Sequence, residues 1–270
     1  MKFKLFQSLS CMNIAHRGAS FTCAENTAAA ARAAAKAGAH AWEFDLRLCA
    51  DNRPVVIHDE DVVRTSDFSR VFSSQFPSAV NALSLKNLKL LDFGIHSGKA
   101  YPDCDSLGPE RILTLEDALD LSRESELLAN VEIKDCGPAD NLVIAQKLVD
   151  YVQQKEMLDR VVVSSFNFDV LRFIRRKDSL LHIGVLFDEG EEILPEKWRD
   201  IHPMSCHVPL KSATPELIGR LRHEGVRIYV YTVDDLRDME KCLEIGADGM
   251  FTNRPERLGI LLAGKHPQLV

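Results

Sequence analysis

Two carboxylate side chains only two residues apart are the first feature of this sequence that could do chemistry. Glu43 and Asp45 lie in the segment 41–46, which has the pattern of a β-strand. Side chains at positions i and i+2 of a strand face the same side. Like charges held so close repel each other unless a cation or a shared proton lies between them. The pair therefore predicts a site for a cation.

A histidine is predicted to lie across from this pair. The segment 54–58 reads as a second strand, and residues 51–53 read as a turn between the two. In such a hairpin, facing positions would have numbers that sum to about 103. This register sets Asp45 opposite His58. A metal-binding carboxylate pair facing a histidine is the beginning of a hydrolase site.

Further charged residues follow other predicted strands. His16 and Arg17 end the first strand, and Glu132 and Lys134 share one face of a later one. Oxygen ligands from Glu43, Asp45 and Glu132 would suit a hard divalent cation, Mg²⁺ or Ca²⁺. The cationic side chains of Arg17 and Lys134 would hold a phosphate group. His16 and His58 could serve as general base and general acid, which makes this a set of residues for phosphodiester cleavage.

The elements that must position these residues alternate between short apolar segments and amphipathic ones. Strand–helix alternation predicts a parallel sheet. Glycines at helix ends, such as Gly38 and Gly246, recur just before apolar strands and indicate a repeated βα unit. Repeated right-handed crossovers give a (β/α)8 barrel, a TIM barrel. The predicted strands are 13–16, 41–46, 54–58, 128–134, 161–165, 182–187, 205–208, 227–232 and 249–252, and the predicted helices are 27–37, 115–122, 141–154, 168–177, 214–223 and 235–244.

Nine candidate strands are one more than the barrel needs. Because no helix separates segment 54–58 from segment 41–46, we assign it as a hairpin arm. A single barrel typically takes about 250 residues, so we expect one domain over residues 1–270. The stretch 59–113 lacks clear alternation and is predicted to be an insertion over the mouth of the barrel.

Composition narrows the class of partners and the compartment. The formal net charge is −7 and the pI is about 5.7, which argues against a nucleic-acid or anionic-membrane surface. No apolar run reaches 18 residues, so no stable membrane insertion is expected. The spacing of the seven cysteines matches neither a disulfide framework nor a zinc site, which predicts reduced thiols. Reduced thiols and the lack of a recognisable secretory signal predict a cytoplasmic protein.

In sequence order, the charged motifs resemble those of the glycerophosphodiester phosphodiesterase family. The resemblance runs from about residue 14 to residue 258. It rests on the segments 15–19, 25–27, 43–45, 54–59, 64–65, 88–94, 115–117, 132–134, 164–166, 231–233 and 249–255. Two positions depart from the family pattern, because Tyr231 stands where Trp is frequent and Leu113 stands where Pro often precedes the Thr-Leu-Glu motif.

The resemblance implies a TIM barrel with a small insertion after the His-Asp motif. It implies a divalent metal on Glu43, Asp45 and Glu132, with His16 and His58 as the acid–base pair. Arg17 and Lys134 would hold the phosphate, and Tyr231 would contact the glycerol or the head group. A glycerol hydroxyl of the substrate would attack phosphorus, and water would open the resulting cyclic phosphate.

Three readings of individual features stay open. One alternative is an enzyme that acts on lysophospholipids or sphingomyelin, a lysophospholipase D or a sphingomyelinase D-like phosphodiesterase. Such an enzyme would need an apolar rim around the active site to bind an acyl chain. Phe68, Phe72 and Phe76 could build this rim, unless they pack against one another within the insertion. A non-catalytic phosphate-binding barrel is the alternative outside the enzyme class. Glu25 and Asn26 precede an alanine-rich helix, so we expect them to cap it and to support the site from behind.

Overall fold

Eight parallel strands close on themselves in the structure, a computed structural model that describes residues 9–96, 99–100, 104 and 108–264. The barrel contains β1, β2 and β6 to β11, and it closes because β1 pairs with both β2 and β11. The (β/α)8 prediction is confirmed. The strands are β1 (Met12–His16), β2 (Ala41–Leu48), β3 (Pro54–Val56), β4 (Ile95–His96), β5 (Lys99–Ala100), β6 (Leu128–Ile133), β7 (Val161–Ser165), β8 (His182–Leu186), β9 (Ser205–Pro209), β10 (Arg227–Tyr231) and β11 (Gly249–Thr252).

Helices follow most barrel strands, and local sequence signals start several of them. Thr27 and Thr114 cap two helix N-termini with their hydroxyl oxygens, and Asp117 completes a capping box with Thr114. The helix at Pro255 was not predicted, although proline at a first helical position signals it. The helices are α1 (Ala28–Lys36), α2 (Phe68–Val71), α3 (Leu85–Leu88), α4 (Leu115–Glu124), α5 (Pro138–Gln154), α6 (Phe168–Lys177), α7 (Pro215–His223), α8 (Leu236–Glu244) and α9 (Pro255–Leu262).

Alternation along the strands separates the core from the site. Trp42, Phe44 and Leu46 of β2 are buried in the apolar layer that also contains helix residues such as Ile144. The intervening residues Glu43 and Asp45 must therefore point to the other side of the strand, into the barrel. The period of two thus places apolar side chains under the helices and carboxylates inside.

The hairpin arm is present, but its register differs by one residue from the prediction. β3 runs antiparallel to β2 and pairs Arg47 with Val55 and Leu46 with Val56, so facing numbers sum to 102. The predicted pairing of Asp45 with His58 is therefore wrong, because the backbone N–H of Ile57 donates to the carbonyl of Asp45. The cause is the position of the turn, because Cys49 N–H donates to the carbonyl of Arg53 and so encloses residues 50–52 instead of the predicted 51–53.

The segment between β3 and α4 builds a small apolar cluster of its own. Phe68 is buried in it, while Phe72 and Phe76 are partly buried against it and stack with ring centroids 4.4 Å apart. The three phenylalanines thus pack within the insertion.

A disulfide joins Cys23, in the loop after β1, to Cys104 in the insertion. The prediction of seven reduced thiols is wrong for this pair, because the fold brings together two cysteines that are 81 positions apart. The cytoplasmic placement rested partly on those thiols and stays a prediction. Among the described residues, none of the helices combines the length and the apolar character needed to cross a bilayer.

Candidate active site

The parallel register brings the three predicted metal ligands together. Asp45 of β2 is aligned with Glu132 of β6, and Glu43 is aligned with His16 at the end of β1. All three carboxylates are buried, and ligand oxygens of the three lie within 4.8 Å of one another. Such an arrangement of hard oxygen donors is consistent with a divalent cation.

The three buried carboxylates repel one another when ionised, and nearby positive charge would stabilise their ionised forms. Burial and the neighbouring Asp45 raise the pKa values of Glu43 and Glu132. Burial also opposes ionisation of Asp45, but Arg17 and Lys134 outweigh it and hold the pKa of Asp45 below its usual value. Among the described residues, Oε1 of Glu43 is buried without a hydrogen-bond partner. An acceptor oxygen left in this state fits a bound cation.

Two cationic side chains already lie against this cluster. Lys134 Nζ is 2.7 Å from Glu132 Oε1 and 3.8 Å from Asp45 Oδ1. Arg17 Nε is 3.3 Å from Asp45 Oδ2, and the Arg17 backbone N–H donates to Glu43 Oε2 at 2.9 Å. Arg17 has a φ of +56°, in the left-handed region that residues other than glycine adopt infrequently.

His16 is held by an amide that is itself fixed. Its Nδ1 lies 2.8 Å from Oδ1 of Asn253, whose Nδ2 donates to Asp234 at 2.6 Å. Because the amide nitrogen is engaged, the oxygen faces His16 and Nδ1 must be the donor. Burial lowers the pKa of His16 to about 4, so the ring is neutral at pH 7 and Nε2 is free to accept a proton.

His58 is held by a carboxylate instead of an amide. Its Nδ1 lies 2.8 Å from Oδ1 of Asp59, and its carbonyl accepts a hydrogen bond from Arg47. Hydrogen bonds from Arg64 lower the pKa of Asp59, so Asp59 remains ionised. Burial lowers the pKa of His58, while Asp45 and Asp59 oppose this shift. The two histidines therefore have different partners and different electrostatic surroundings.

These groups surround a cavity of about 200 Å³ at the carboxyl ends of the strands. The cavity has one apolar side, formed by Phe166, Leu186, Tyr231 and Phe251. The Tyr231 hydroxyl donates to the carbonyl of Phe187, which fixes the position of its ring. A wider open groove of about 920 Å³ shares Glu132, Lys134 and Phe166 with this cavity.

Every predicted site residue except Asp45 lines the cavity, and Asp45 lies directly behind it against Arg17 and Lys134. Glu25 and Asn26 do not cap α1, because Thr27 does. The Asn26 amide instead donates to Asp45 at 2.9 Å. The sequence reasoning also missed other residues that contact the site through hydrogen bonds, namely Asn253, Asp234, Asp59 and Arg64.

A barrel with buried acidic residues, two histidines and cationic side chains at its mouth defines a class of hydrolase that acts on phosphate esters. Residues 16–257 match the glycerophosphoryl diester phosphodiesterase family. The chain belongs to this family and is a glycerophosphodiester phosphodiesterase.

Relatives and solved structures agree with this assignment. A glycerophosphodiester phosphodiesterase of Caldanaerobacter subterraneus subsp. tengcongensis is 35% identical over 248 residues, which cover 91% of this chain and 95% of the relative. The structure of an Oleispira antarctica phosphodiesterase in complex with the product sn-glycerol-3-phosphate superposes with a TM-score of 0.81 at 23% identity and covers 94% of this chain and 97% of that one. The structure of a glycerophosphodiester phosphodiesterase from Parabacteroides distasonis gives a TM-score of 0.75 at 24% identity. The match covers 94% of this chain and 98% of that one. These two structures establish the shared fold.

Proposed function

We propose that this enzyme hydrolyses glycerophosphodiesters to sn-glycerol 3-phosphate and an alcohol within one domain, residues 1–270. The observation that carries the proposal is the 200 Å³ cavity, because it gathers acidic, cationic and histidine side chains around a space for a small molecule. The product bound in the Oleispira antarctica structure, sn-glycerol-3-phosphate, supports the choice of substrate.

Arg17 and Lys134 bind the phosphate group in this proposal. Both line the cavity, and both are also paired with buried carboxylates that fix their positions. Preorganised cations near phosphorus stabilise the charge that develops on its oxygens during displacement. Tyr231, on the apolar side of the cavity, packs against the carbon atoms of the glycerol.

The two histidines transfer protons in opposite directions. His16 is the base, because its Nδ1 is committed to Asn253 and its pKa of about 4 keeps Nε2 unprotonated. His58 is the acid, because its Nδ1 is held by the ionised carboxylate of Asp59, which supports the protonated ring and opposes the lowering of the His58 pKa by burial. A general acid and a general base each contribute about 10²–10⁴-fold to such reactions.

The reaction proceeds in two displacements at phosphorus. A glycerol hydroxyl loses its proton to Nε2 of His16, and its oxygen forms a new bond to phosphorus. The bond from phosphorus to the head-group oxygen breaks, and His58 gives its proton to that oxygen. Water then opens the cyclic phosphate, with the histidines in exchanged roles, and both return to their initial protonation states.

Glu43, Asp45 and Glu132 would hold a divalent cation, Mg²⁺ or Ca²⁺. The raised pKa values of Glu43 and Glu132 and the unpartnered Oε1 of Glu43 fit such an ion. When bound, the cation neutralises negative charge on the phosphoryl oxygens. The carboxylates themselves keep Arg17 and Lys134 in place, which is a role visible in the contacts already present.

The size and chemistry of the cavity favour unacylated glycerophosphodiesters over lysophospholipids or sphingomyelin. A volume of about 200 Å³ suits glycerol 3-phosphate, and the phenylalanines of the insertion pack among themselves. The adjoining groove gives a head group room beside Lys134 and Phe166. A non-catalytic binding barrel would not require two oriented histidines.

Release of choline from glycerophosphocholine, measured in parallel with release of choline from lysophosphatidylcholine, tests the proposal, and glycerol 3-phosphate should be the second product from glycerophosphocholine. The wild-type enzyme should prefer glycerophosphocholine, and His16→Ala should lower the rate at least 100-fold at unchanged folding. Preference for lysophosphatidylcholine would overturn the substrate assignment. Binding of glycerol 3-phosphate without turnover of either diester would favour the non-catalytic barrel, and an active His16→Ala enzyme would exclude His16 as the base.

A further inference from the structure

Arg64, in the insertion, bridges two carboxylates from different loops of the active site, Asp59 after β3 and Glu25 after β1. Its guanidinium donates to Asp59 through Nε at 2.5 Å and through Nη2 at 3.0 Å. It donates to Glu25 through Nη1 at 2.8 Å and Nη2 at 2.7 Å. We propose that Arg64 is a positioning residue that aligns the acid His58 and the phosphate-binding Arg17 at the same time. This inference rests on the proposed function, because it assigns those two roles.

One edge of the guanidinium acts on His58 through Asp59. Asp59 Oδ1 accepts from both His58 Nδ1 and Arg64 Nη2, while Oδ2 accepts from Arg64 Nε. The carboxylate is therefore fixed in plane, and the imidazole is held with Nδ1 toward Asp59. Without Arg64, Asp59 could rotate away from the histidine that it orients.

The other edge acts on Arg17 through Glu25. Glu25 Oε1 accepts from Arg64 Nη2 at 2.7 Å and from Arg17 Nη1 at 2.9 Å, so one oxygen joins the two arginines. Side-chain exposure falls from 34% at Arg64 through 15% at Glu25 to 1% at Asp45, which Arg17 also contacts. The contacts thus run from the surface of the insertion to the buried carboxylates.

Only arginine can make this bridge. Its planar group presents donors on two edges in a fixed geometry, and here three nitrogens contact four carboxylate oxygens. A lysine ammonium is a compact point charge, so it could reach one carboxylate and leave the other unaligned. The bridge also gives the insertion a function, because it supplies a residue that the barrel strands do not provide.

The bridge predicts a separable pattern among three variants. Asp59→Asn should weaken proton donation by His58, so turnover of glycerophosphocholine should fall about 10–100-fold. The same variant should hydrolyse the p-nitrophenyl ester of glycerol 3-phosphate at nearly the wild-type rate, because nitrophenolate is a leaving group that needs no proton. Glu25→Gln should release Arg17 and raise the Ki of glycerol 3-phosphate about 10-fold. Arg64→Gln should show both defects.

The experiment measures kcat, KM and Ki for these variants with both diesters, and Arg70→Gln, an exposed arginine of the same insertion, is the control. The inference is supported if Arg64→Gln shows both slower turnover of glycerophosphocholine and a raised Ki of glycerol 3-phosphate, and if Arg64→Lys restores at most one of these two properties. Equal losses on both diesters at unchanged Ki, or wild-type behaviour, overturn it. If Arg64→Gln does not fold, Arg64→Lys provides the test. Wild-type values of both glycerophosphocholine turnover and the Ki of glycerol 3-phosphate in Arg64→Lys would overturn the inference. Wild-type inactivity on both diesters would refute the proposed function itself.

Discussion

Nδ1 of His16 lies 2.8 Å from Oδ1 of Asn253, and this oxygen also accepts a hydrogen bond from the Ser20 hydroxyl. The Asn253 amide is fixed further, because Asp234 accepts from both its backbone and its side-chain nitrogen. A neutral oxygen therefore orients the proposed base, whereas an ionised carboxylate orients the proposed acid, His58. This difference supports the separate roles that we propose for the two histidines.

Asn253→Asp should shift the acidic limb of the pH profile. The variant also carries Asp234→Asn, because a second carboxylate 2.6 Å from Asp234 would otherwise share a proton with it. The carboxylate beside His16 then raises the His16 pKa above the value of about 4, so the base becomes protonated at higher pH. The limb of kcat/KM at saturating divalent cation should therefore move toward neutral pH. Asn81→Asp adds the same charge at an exposed position of the insertion and should leave the limb in place. An unmoved limb in the double variant would contradict the role of His16.

His58→Ala should show a strong dependence on the leaving group. Loss of a general acid costs about 10²–10⁴-fold for an alkyl leaving group, so hydrolysis of glycerophosphocholine should fall by that factor. The p-nitrophenyl diester needs no protonation and should lose far less. Steady-state rates on both substrates provide the measurement. Equal losses would mean that His58 does not protonate the leaving oxygen.

Glu43→Gln should stabilise the metal-free protein while it abolishes activity. The amide keeps an acceptor for the Arg17 N–H and removes a buried charge that Asp45 and Glu132 repel. The free energy of unfolding in EDTA at pH 7 should rise, by about 1.4 kcal/mol for each pKa unit by which folding raises the pKa of Glu43 up to that pH. Urea denaturation of both proteins in EDTA measures this change, and a destabilised variant would contradict it.

The same carboxyl predicts how the stability of metal-free wild-type protein depends on pH. The pKa of Glu43 is raised in the folded state, so the folded protein binds the proton more tightly than the unfolded chain. The free energy of unfolding should fall as pH rises from the usual range of a glutamate through the raised value. Glu43→Gln should remove this part of the slope. The test is to repeat the EDTA denaturation series from pH 4.5 to 8; equal slopes for both proteins would contradict the assignment.

The barrel strands were predictable because their signals are local. Apolar segments separated by amphipathic ones gave the eight barrel strands and the hairpin arm β3, and β7 and β11 match to the residue, whereas β4 and β5 in the insertion were not predicted. The hairpin register was not predictable, because it depends on how the turn at Cys49–Arg53 closes. A shift of one residue there decides whether Ile57 or His58 faces Asp45.

The charged residues that line the cavity were predictable for the same reason, since they end strands or alternate along a strand with a period of two. The residues that orient them were not, because the contacts join distant segments. Asn253 is 237 positions from His16, and Arg64 is 39 positions from Glu25. Strand periodicity carries no information on such pairs, although the motifs around residues 25–27, 64–65 and 249–255 marked the right segments.

Gly18→Ala should destabilise the loop that carries Arg17. Gly18 has a φ of +85°, and a Cβ there would lie 2.6 Å from the backbone and Cβ of Ala30 in α1. Backbone strain and the clash together should cost about 2–4 kcal/mol, and activity should fall because Arg17 moves. Gly190→Ala, at a similar φ of +82° but in open space, is the control for backbone strain alone. Equal losses in Tm for both variants would refute the packing argument.

The most direct test of the account is cation dependence of the reaction at the carboxylates of Glu43, Asp45 and Glu132. EDTA-stripped enzyme is supplied with Mg²⁺, Ca²⁺ or Mn²⁺, and the release of glycerol 3-phosphate from glycerophosphocholine is measured. The account predicts loss of activity in EDTA, recovery with at least one divalent cation, and no recovery for Glu132→Gln at the same concentration. Full activity of the wild-type enzyme in excess EDTA would contradict it.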